Sequence, residues 1–170
     1  MSKLLKLILS LMAVLAIGNV YAADKEMKYV NALDLRIINK GFDDSLTPYT
    51  RIPAYLKDSV RPELWERSQC STGMAVRLAS DSKTIAVRYN LPWNTHMVHM
   101  ADTGLKGVDL YRLSDGGEWE YVNTCRPYKQ DSIQVKTFVE NLKGDMREYM
   151  MYLPLYDGIN WLEVGVEKES

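Results

Sequence analysis

Two histidines, His96 and His99, stand three positions apart in one stretch of the chain, and Asp102 follows closely. Imidazole nitrogens at this spacing could bind a metal ion or act as a base for a nucleophile. A loop that bears two ligands makes no metal site without a third, so we favour a structural or interface role. The sequence has no Gly-x-Ser-x-Gly and no Asp-x-x-His segment, so the residues predict no hydrolytic triad.

The remaining chemistry-bearing side chains are carboxylates. Asp43 with Asp44, and Glu118 with Glu120, are near in sequence, but nothing sets either pair across a cleft. They are therefore interpreted as solvated charges rather than a glycosidase pair. The sequence also has no phosphate-binding glycine loop and no His/Cys cluster, so we expect neither a cofactor nor a metal.

Cys70 and Cys125 are the two cysteines of the chain. An oxidising compartment permits a disulfide between them. Their spacing does not determine the distance between their Cα atoms, so two separate structural thiols are the alternative.

The first 22 residues have the parts of a secretory signal peptide. Lys3 and Lys6 form a positive region, residues 7–17 are almost uninterruptedly apolar, and cleavage is expected after Ala22. The apolar run is shorter than the ~20 residues that span a bilayer, which argues against a retained anchor. We therefore expect an exported protein, periplasmic or extracellular, with residues 23–170 as its mature domain and no membrane contact after cleavage.

The net charge and the aromatic content restrict the kinds of molecule that this protein is expected to bind. The formal charge is −1 with the signal peptide and −3 without it, because Lys3 and Lys6 are removed. A mildly acidic chain lacks the electrostatic footprint of a nucleic-acid-binding protein, so no nucleic acid is expected. The 11 tyrosines and 4 tryptophans are typical of extracellular β-proteins and also suit sugar stacking.

Period-two patterning dominates the mature chain. Residues 83–89 place Ile85, Val87 and Tyr89 on one face. Strand character recurs in the segments 35–39, 74–78, 107–113, 119–122, 134–142, 148–153 and 161–166. Turn residues separate these segments, and those at 115–117 and 144–145 predict hairpins. With one predicted helix at 62–67, the pattern predicts an all-β, jelly-roll-like two-sheet β-sandwich in a single domain.

Residues 107–111 read Gly-Val-Asp-Leu-Tyr. This motif resembles the GxDLY domain, the β-sandwich that precedes the catalytic domain in bacterial SGNH-hydrolase-type esterases. Other segments similar to motifs of that family are Tyr49–Ala54, Leu64–Trp65, Ser71–Arg77, Arg147–Gly158 and Leu162–Val166. Gly104 and Gly107 are expected to permit backbone turns or close strand approach.

The resemblance implies an ancillary domain of an exported bacterial esterase that acts on acyl or acetyl esters on carbohydrate. In the relatives, an SGNH catalytic domain of the same chain supplies the serine, the oxyanion-hole groups and the Asp/His pair. This sequence stops at Ser170, so we expect no catalytic residue in it, no activity on its own, and an SGNH domain as its partner. A stand-alone carbohydrate-binding or protein-interaction module is the alternative, with Trp93, Trp119 and Tyr111 as candidate stacking residues.

Six residues are candidates for binding or for a domain interface: Trp93, His96, His99, Asp109, Tyr111 and Arg51. The first three combine aromatic area with polar tips on one loop, which favours a partner surface. On a regular strand, Asp109 and Tyr111 share a face. There Asp109 could anchor a polar network, pair with Arg51 or Arg77, or face a ligand.

Overall fold

The structure is a computed structural model that describes residues 26–44, 46–127 and 132–168. The predicted signal peptide, residues 1–22, lies outside these ranges. The described residues form nine strands: β1 Met27–Asn31, β2 Arg36–Ile38, β3 Ala75–Ser80, β4 Ile85–Asn90, β5 Val108–Leu113, β6 Trp119–Cys125, β7 Ile133–Val139, β8 Arg147–Tyr152 and β9 Trp161–Glu167.

The strands form two antiparallel sheets. One has four strands in the order β1-β9-β4-β7, and the other has five in the order β2-β3-β8-β5-β6. In the first sheet Val87 of β4 lies opposite Val164 of β9, and in the second Leu110 of β5 lies opposite Met151 of β8. The two-sheet, all-β sandwich expected from the sequence is confirmed.

The core lies between the sheets and follows the predicted alternation. Ile85, Val87 and Tyr89 are fully buried, as are Leu110 and Met151 from the facing sheet. Successive side chains of a strand point to opposite faces, so each apolar residue at period two enters the same core. Each buried large apolar side chain contributes roughly 1.5–3 kcal/mol to folding, which makes this face the main determinant of strand register.

Helical structure is short but more extensive than expected. Helix α1, Pro62–Ser68, begins with proline at its first turn, as predicted. Helix α2, Asp102–Lys106, was not predicted, because Gly104 in a five-residue segment is typical of a loop. Two 3₁₀ turns, Ala32–Asp34 and Ala54–Ser59, complete the helical segments of the described residues.

Strand β1 was also not predicted, because the sequence around it begins with the polar residues 24–28. It pairs along one side only, with β9, at the edge of the four-stranded sheet. The expected first strand at 35–39 is shorter, as β2, and pairs with β3. An edge strand needs less apolar patterning than a central strand, which explains the missed segment.

One of the two expected hairpins is present. Between β5 and β6 the Ser114 amide donates to the Glu118 carbonyl at 2.9 Å, and Gly117 adopts a φ of +84°. The turn at Gly144, with φ +80°, does not form a hairpin, because it joins β7 of one sheet to β8 of the other. Glycine permits the turn but does not decide which sheet the next strand enters.

The sandwich has two distinct ends. At one end β1 begins and β9 finishes, with Met27 opposite Glu167. At the other, which we call the loop end, Asn90 of β4 lies opposite Trp161 of β9. The connection 91–107 crosses between the sheets there, and the segment 153–160 lies beside it. Within the described ranges, no helix has the length and apolar character needed to cross a bilayer.

Candidate functional site at the loop end

The 91–107 connection presents half-exposed aromatic and fully exposed apolar side chains. Trp93 is 51% exposed, and Asn94 after it has a φ of +49°. Met97 and Met100 pair in a short antiparallel bridge, which places Val98 at the tip with 99% of its surface exposed. The loop that was predicted to form a partner surface therefore exposes apolar side chains to solvent.

A buried lysine organises the connection. Lys106, at the end of α2, is 1% exposed, and its ammonium donates to the Asn94 side-chain oxygen and lies 3.4 Å from a carboxylate oxygen of Asp102. The Lys106 carbonyl accepts from the hydroxyl of the buried Tyr89 at 2.9 Å. Because a buried charge requires polar partners, these contacts hold both sides of the loop in one geometry.

His96 extends this network to the surface. Its Nδ1 lies 2.7 Å from Oδ1 of Asp102. This hydrogen bond is the largest influence lowering the pKa of Asp102, and the Lys106 ammonium acts in the same direction. A carboxylate can only accept here, so Nδ1–H donates this hydrogen bond and Nε2 is left for other partners. His99 is exposed, and no three His, Cys, Asp or Glu side chains converge as a metal site within the described ranges.

Asp157 joins the loop to the segment before β9. This carboxylate is fully buried and accepts from the Thr95 amide at 2.7 Å and from the Gly158 amide at 2.9 Å. The Asp157 carbonyl accepts from the Ser71 amide at 3.1 Å. A Cβ at Gly158 would lie 3.1 Å from Pro92 Cγ, so this glycine permits the close approach of the two segments.

A cleft of about 420 Å³ lies between α1 and the connection. We call it the loop-end cleft, and its lining residues are Trp65, Glu66, Arg67, Gln69, Cys70, Trp93, Thr95, Met97 and Tyr156. Three aromatic rings and a thioether provide apolar walls. The polar groups are contributed largely by the end of α1. This volume is within the range of roughly 300–1,000 Å³ that is usual for small-molecule sites.

Arg51 does not line this cleft, but it holds the end of helix α1, which does. Its backbone amide donates to the Ser68 carbonyl at 2.9 Å, and its guanidinium donates to the Arg67 carbonyl. Both acceptors are carbonyls of the last turn of α1, which have no partner within the helix. Arg51 therefore positions the helix that carries Trp65 and Arg67.

Asp109 and Tyr111 lie elsewhere, on the outer face of the five-stranded sheet. Oδ1 of Asp109 accepts from the Thr124 hydroxyl at 2.6 Å. The Tyr111 ring packs edge-to-face against Tyr121 at 5.7 Å and against Tyr152 at 5.6 Å between centroids. The two residues share a face, as expected. We call this surface the tyrosine face.

The proposed pairing of Asp109 with an arginine is wrong. Arg77 pairs with Glu148 instead, at 2.5 Å, and its guanidinium carbon lies 5.9 Å from the Trp119 ring centroid. Arg51 is bound to α1. Asp109 belongs to a local polar network with Thr124, which was one of the three roles expected for it.

The disulfide considered for Cys70 and Cys125 is not formed. Both are free and buried, one in the loop-end cleft and the other at the end of β6 beside Tyr89. Burial raises the pKa of each thiol. The alternative, two separate structural thiols, fits the structure.

The candidates therefore divide between two surfaces. Trp93 lines the loop-end cleft, Arg51 supports it, and His96 is on the same connection. Sequence reasoning missed Trp65, Arg67 and Tyr156 as lining residues and the buried Lys106 and Asp157. Trp65 and Tyr156 were within segments that resembled family motifs, but only the folded chain brings residues so far apart in sequence together.

Comparisons with known proteins identify similar sequences and structures. Residues 27–170 match the model of the GxDLY family, described as the N-terminus of SGNH-hydrolase-type esterases. The fold is similar to the crystal structure of a protein described as a GDSL-like lipase from Bacteroides ovatus ATCC 8483, with a TM-score of 0.77 and 25% identity. The match covers 85% of this chain and 42% of that one, so this chain spans less than half of that protein. No curated protein matches the chain.

Proposed function

Since the chain belongs to the GxDLY family, the N-terminal domains of SGNH-hydrolase-type esterases, we propose that it is the exported ancillary β-sandwich of such an esterase. It orients a catalytic domain and leaves ester hydrolysis to that domain. The family match over residues 27–170 is the observation that carries this proposal. The similarity to a GDSL-like lipase supports it, because more than half of that chain lies outside the matched part.

The finer parts of the proposal are export and substrate class. Export rests on Lys3, Lys6 and the apolar run that follows them. The substrate of the associated enzyme is an acyl or acetyl ester on carbohydrate. The amphipathic aromatic rings of the loop-end cleft support this substrate class.

The non-catalytic role is tested with the mature protein, residues 23–170, and p-nitrophenyl acetate. We expect turnover no faster than with heat-denatured protein, and the same background for His96→Ala and His99→Ala. Turnover by the wild type that disappears in either variant would show that the chain hydrolyses esters itself. A fluorophosphonate probe, which labels activated serines, gives an independent readout and should not label the purified chain.

The association with an esterase is tested in the native cell. An antibody against the domain should precipitate esterase activity together with a fluorophosphonate-labelled band, either in the same chain or in a bound one. Precipitates without activity or label from cells that express the domain would contradict the proposal.

Export is tested by fractionation and N-terminal sequencing. The protein should be outside the cytoplasm and begin at Ala23. Cytoplasmic protein that still carries Met1 would contradict export.

A protein-interaction module is the second candidate, favoured by one observation. Val98 is 99% exposed at a bridged tip of the connection that also exposes 51% of Trp93, so this loop presents apolar surface to a partner. If this candidate is correct, Val98→Asp removes a co-precipitated partner while the fold is unchanged. Retention of every partner by Val98→Asp would exclude it.

A further inference from the structure

The aromatic walls of the loop-end cleft leave ring surface available to a ligand. Trp93 is 51% exposed and Tyr156 is 42% exposed, while Trp65 is half-buried with the Lys57 ammonium 5.9 Å from its ring centroid. These rings belong to three separate segments that meet only at the loop end. Such walls bind the apolar face of a flat ligand by stacking and by excluding water.

The polar groups of the cleft carry opposite charges. Glu66 and Arg67 are adjacent and exposed, and neither side chain forms an ion pair with another residue that the structure describes. The Gln69 amide nitrogen donates to the Ser68 hydroxyl at 3.1 Å. Glu66 offers acceptors and Arg67 offers donors while their charges cancel, so the pair suits the hydroxyls of a neutral ligand.

The cleft is held in shape before a ligand arrives. Asp157 fixes the Thr95 amide, and Lys106 fixes Asn94, the residue after Trp93. A Cβ at Gly158 would lie 3.5 Å from the Trp93 ring, so the backbone lies directly against that side chain. A wall that is already ordered loses little conformational entropy on binding, which leaves more of the contact energy for affinity.

From these three observations we propose that the loop-end cleft binds sugar units of a neutral polysaccharide. Trp93 and Tyr156 stack against the apolar face of a sugar ring, and Glu66 and Arg67 form hydrogen bonds with its hydroxyls. A sugar unit has both an apolar C–H face and neighbouring hydroxyls, which matches the mixed lining of the cleft. The substrate class rests on the proposed function, but binding in the cleft does not require catalysis by any domain.

The test is calorimetric titration of the mature protein with soluble neutral oligosaccharides, namely cello-, xylo-, manno- and maltohexaose. At least one should bind, and Trp93→Ala should weaken that binding tenfold or more, as expected for an aromatic residue at the centre of a contact. Arg67→Met and Glu66→Gln should each weaken it severalfold. Circular dichroism checks that the exposed Trp93 can be replaced without loss of the fold.

Trp119→Ala is the matched control, because Trp119 is on the tyrosine face and outside the cleft. It should leave affinity unchanged. If Trp119→Ala abolishes binding and Trp93→Ala does not, the sugar binds on the tyrosine face and the inference is wrong. Stronger binding of a proline-rich peptide, with the same dependence on Trp93, would also overturn it.

The inference and the proposed function fail in different ways. If no oligosaccharide binds while esterase activity still co-precipitates with the domain, only the cleft assignment is lost. If an oligosaccharide binds through Trp93 while no serine hydrolase is associated, the cleft assignment is supported and the proposed function is lost.

Discussion

At the scale of single residues, Lys106 is the clearest case of a side chain whose environment its sequence position does not suggest. Lysine is rarely buried unless its ammonium is paired, and this one is both 1% exposed and paired. Its ammonium joins the Asn94 side chain to Asp102, and Asp102 in turn holds His96. One buried cation thus connects α2 to the loop that carries Trp93.

Replacing this lysine tests its contribution. Lys106→Met removes the ammonium from the Asn94 side-chain oxygen and from Asp102, which keeps its hydrogen bond with His96. We expect the free energy of unfolding to fall by about 2 kcal/mol, because the hydrogen bonds of a buried charged donor are lost. Urea denaturation measures the change. Lys168→Met, which removes an exposed lysine paired with Glu26, should change it by less than about 0.5 kcal/mol.

The Asp102 carboxyl predicts an acid-dependent stability. Its pKa is lower in the folded chain than the ordinary value, chiefly because of the His96 hydrogen bond. Such a group stabilises the fold above its unfolded pKa, and this contribution is lost as the pH falls through the folded pKa. The difference in thermal midpoint between wild type and Asp102→Asn should therefore be full above about pH 4 and shrink below it. A difference that does not vary with pH would contradict this.

The two cysteines give a prediction that distinguishes thiols from a disulfide. Cys70 is 7% exposed and Cys125 is 1% exposed, and burial raises both pKa values. Ellman's reagent should react slowly with the native protein, because the thiolate is the reactive form. In concentrated guanidinium chloride without reductant it should report two thiols per chain. No reaction until reductant is added would show that a disulfide forms in solution.

At the scale of elements, the short helix α2 is packed tightly against β6. A Cβ at Gly107 would lie 2.3 Å from the Thr103 carbonyl oxygen and 3.0 Å from the Cys125 carbonyl oxygen. Both atoms belong to the backbone and cannot move aside as a side chain would. Glycine is therefore required where the helix ends and β5 begins.

Alanine substitutions at Gly107 and Gly104 are expected to change the free energy of unfolding in opposite directions. Gly107→Ala should lower the free energy of unfolding by about 2 kcal/mol or more, because backbone atoms must shift. Gly104→Ala meets only the Met100 side chain, at 3.7 Å, and should raise stability by up to about 1 kcal/mol through better helix propensity. Thermal denaturation of both variants measures the two signs. Equal effects would show that the packing at Gly107 is looser than described.

Elements were predictable where local pattern decides them. Alternation placed Asp109 and Tyr111 on one face and Val108 and Leu110 on the other, because a strand has a period of two. Pro154 has no backbone N–H to donate to a sheet, which predicts a strand end close before it, and β8 does end at Tyr152. Helix α2 could not be predicted in this way, since its stability comes from Lys106 and from the contact of Gly107 with β6.

At the scale of the whole molecule, patterning predicted the sandwich but not its connections. The turn at Gly144 has the sequence of a hairpin, yet the strands it joins belong to different sheets. The cleft could not be predicted from the sequence either, because Trp65, Trp93 and Tyr156 are far apart in it. Two of these residues, Trp65 and Tyr156, lie in segments that resemble motifs of the family. Only the folded structure shows that they meet Trp93 at one cleft.

The antiparallel pairing of β1 with β9 determines where the ends of these strands lie relative to the cleft. Their outer ends, Met27 and Glu167, lie opposite each other, and the loop-end cleft is beyond the other end of β9. A strand of seven residues is about 23 Å long, so the cleft lies roughly that far from Met27 and Glu167. Under the proposed function, a catalytic domain joined next to Glu167 is about one strand length away from a polymer bound in the cleft, which raises the effective concentration of that polymer at the catalytic domain.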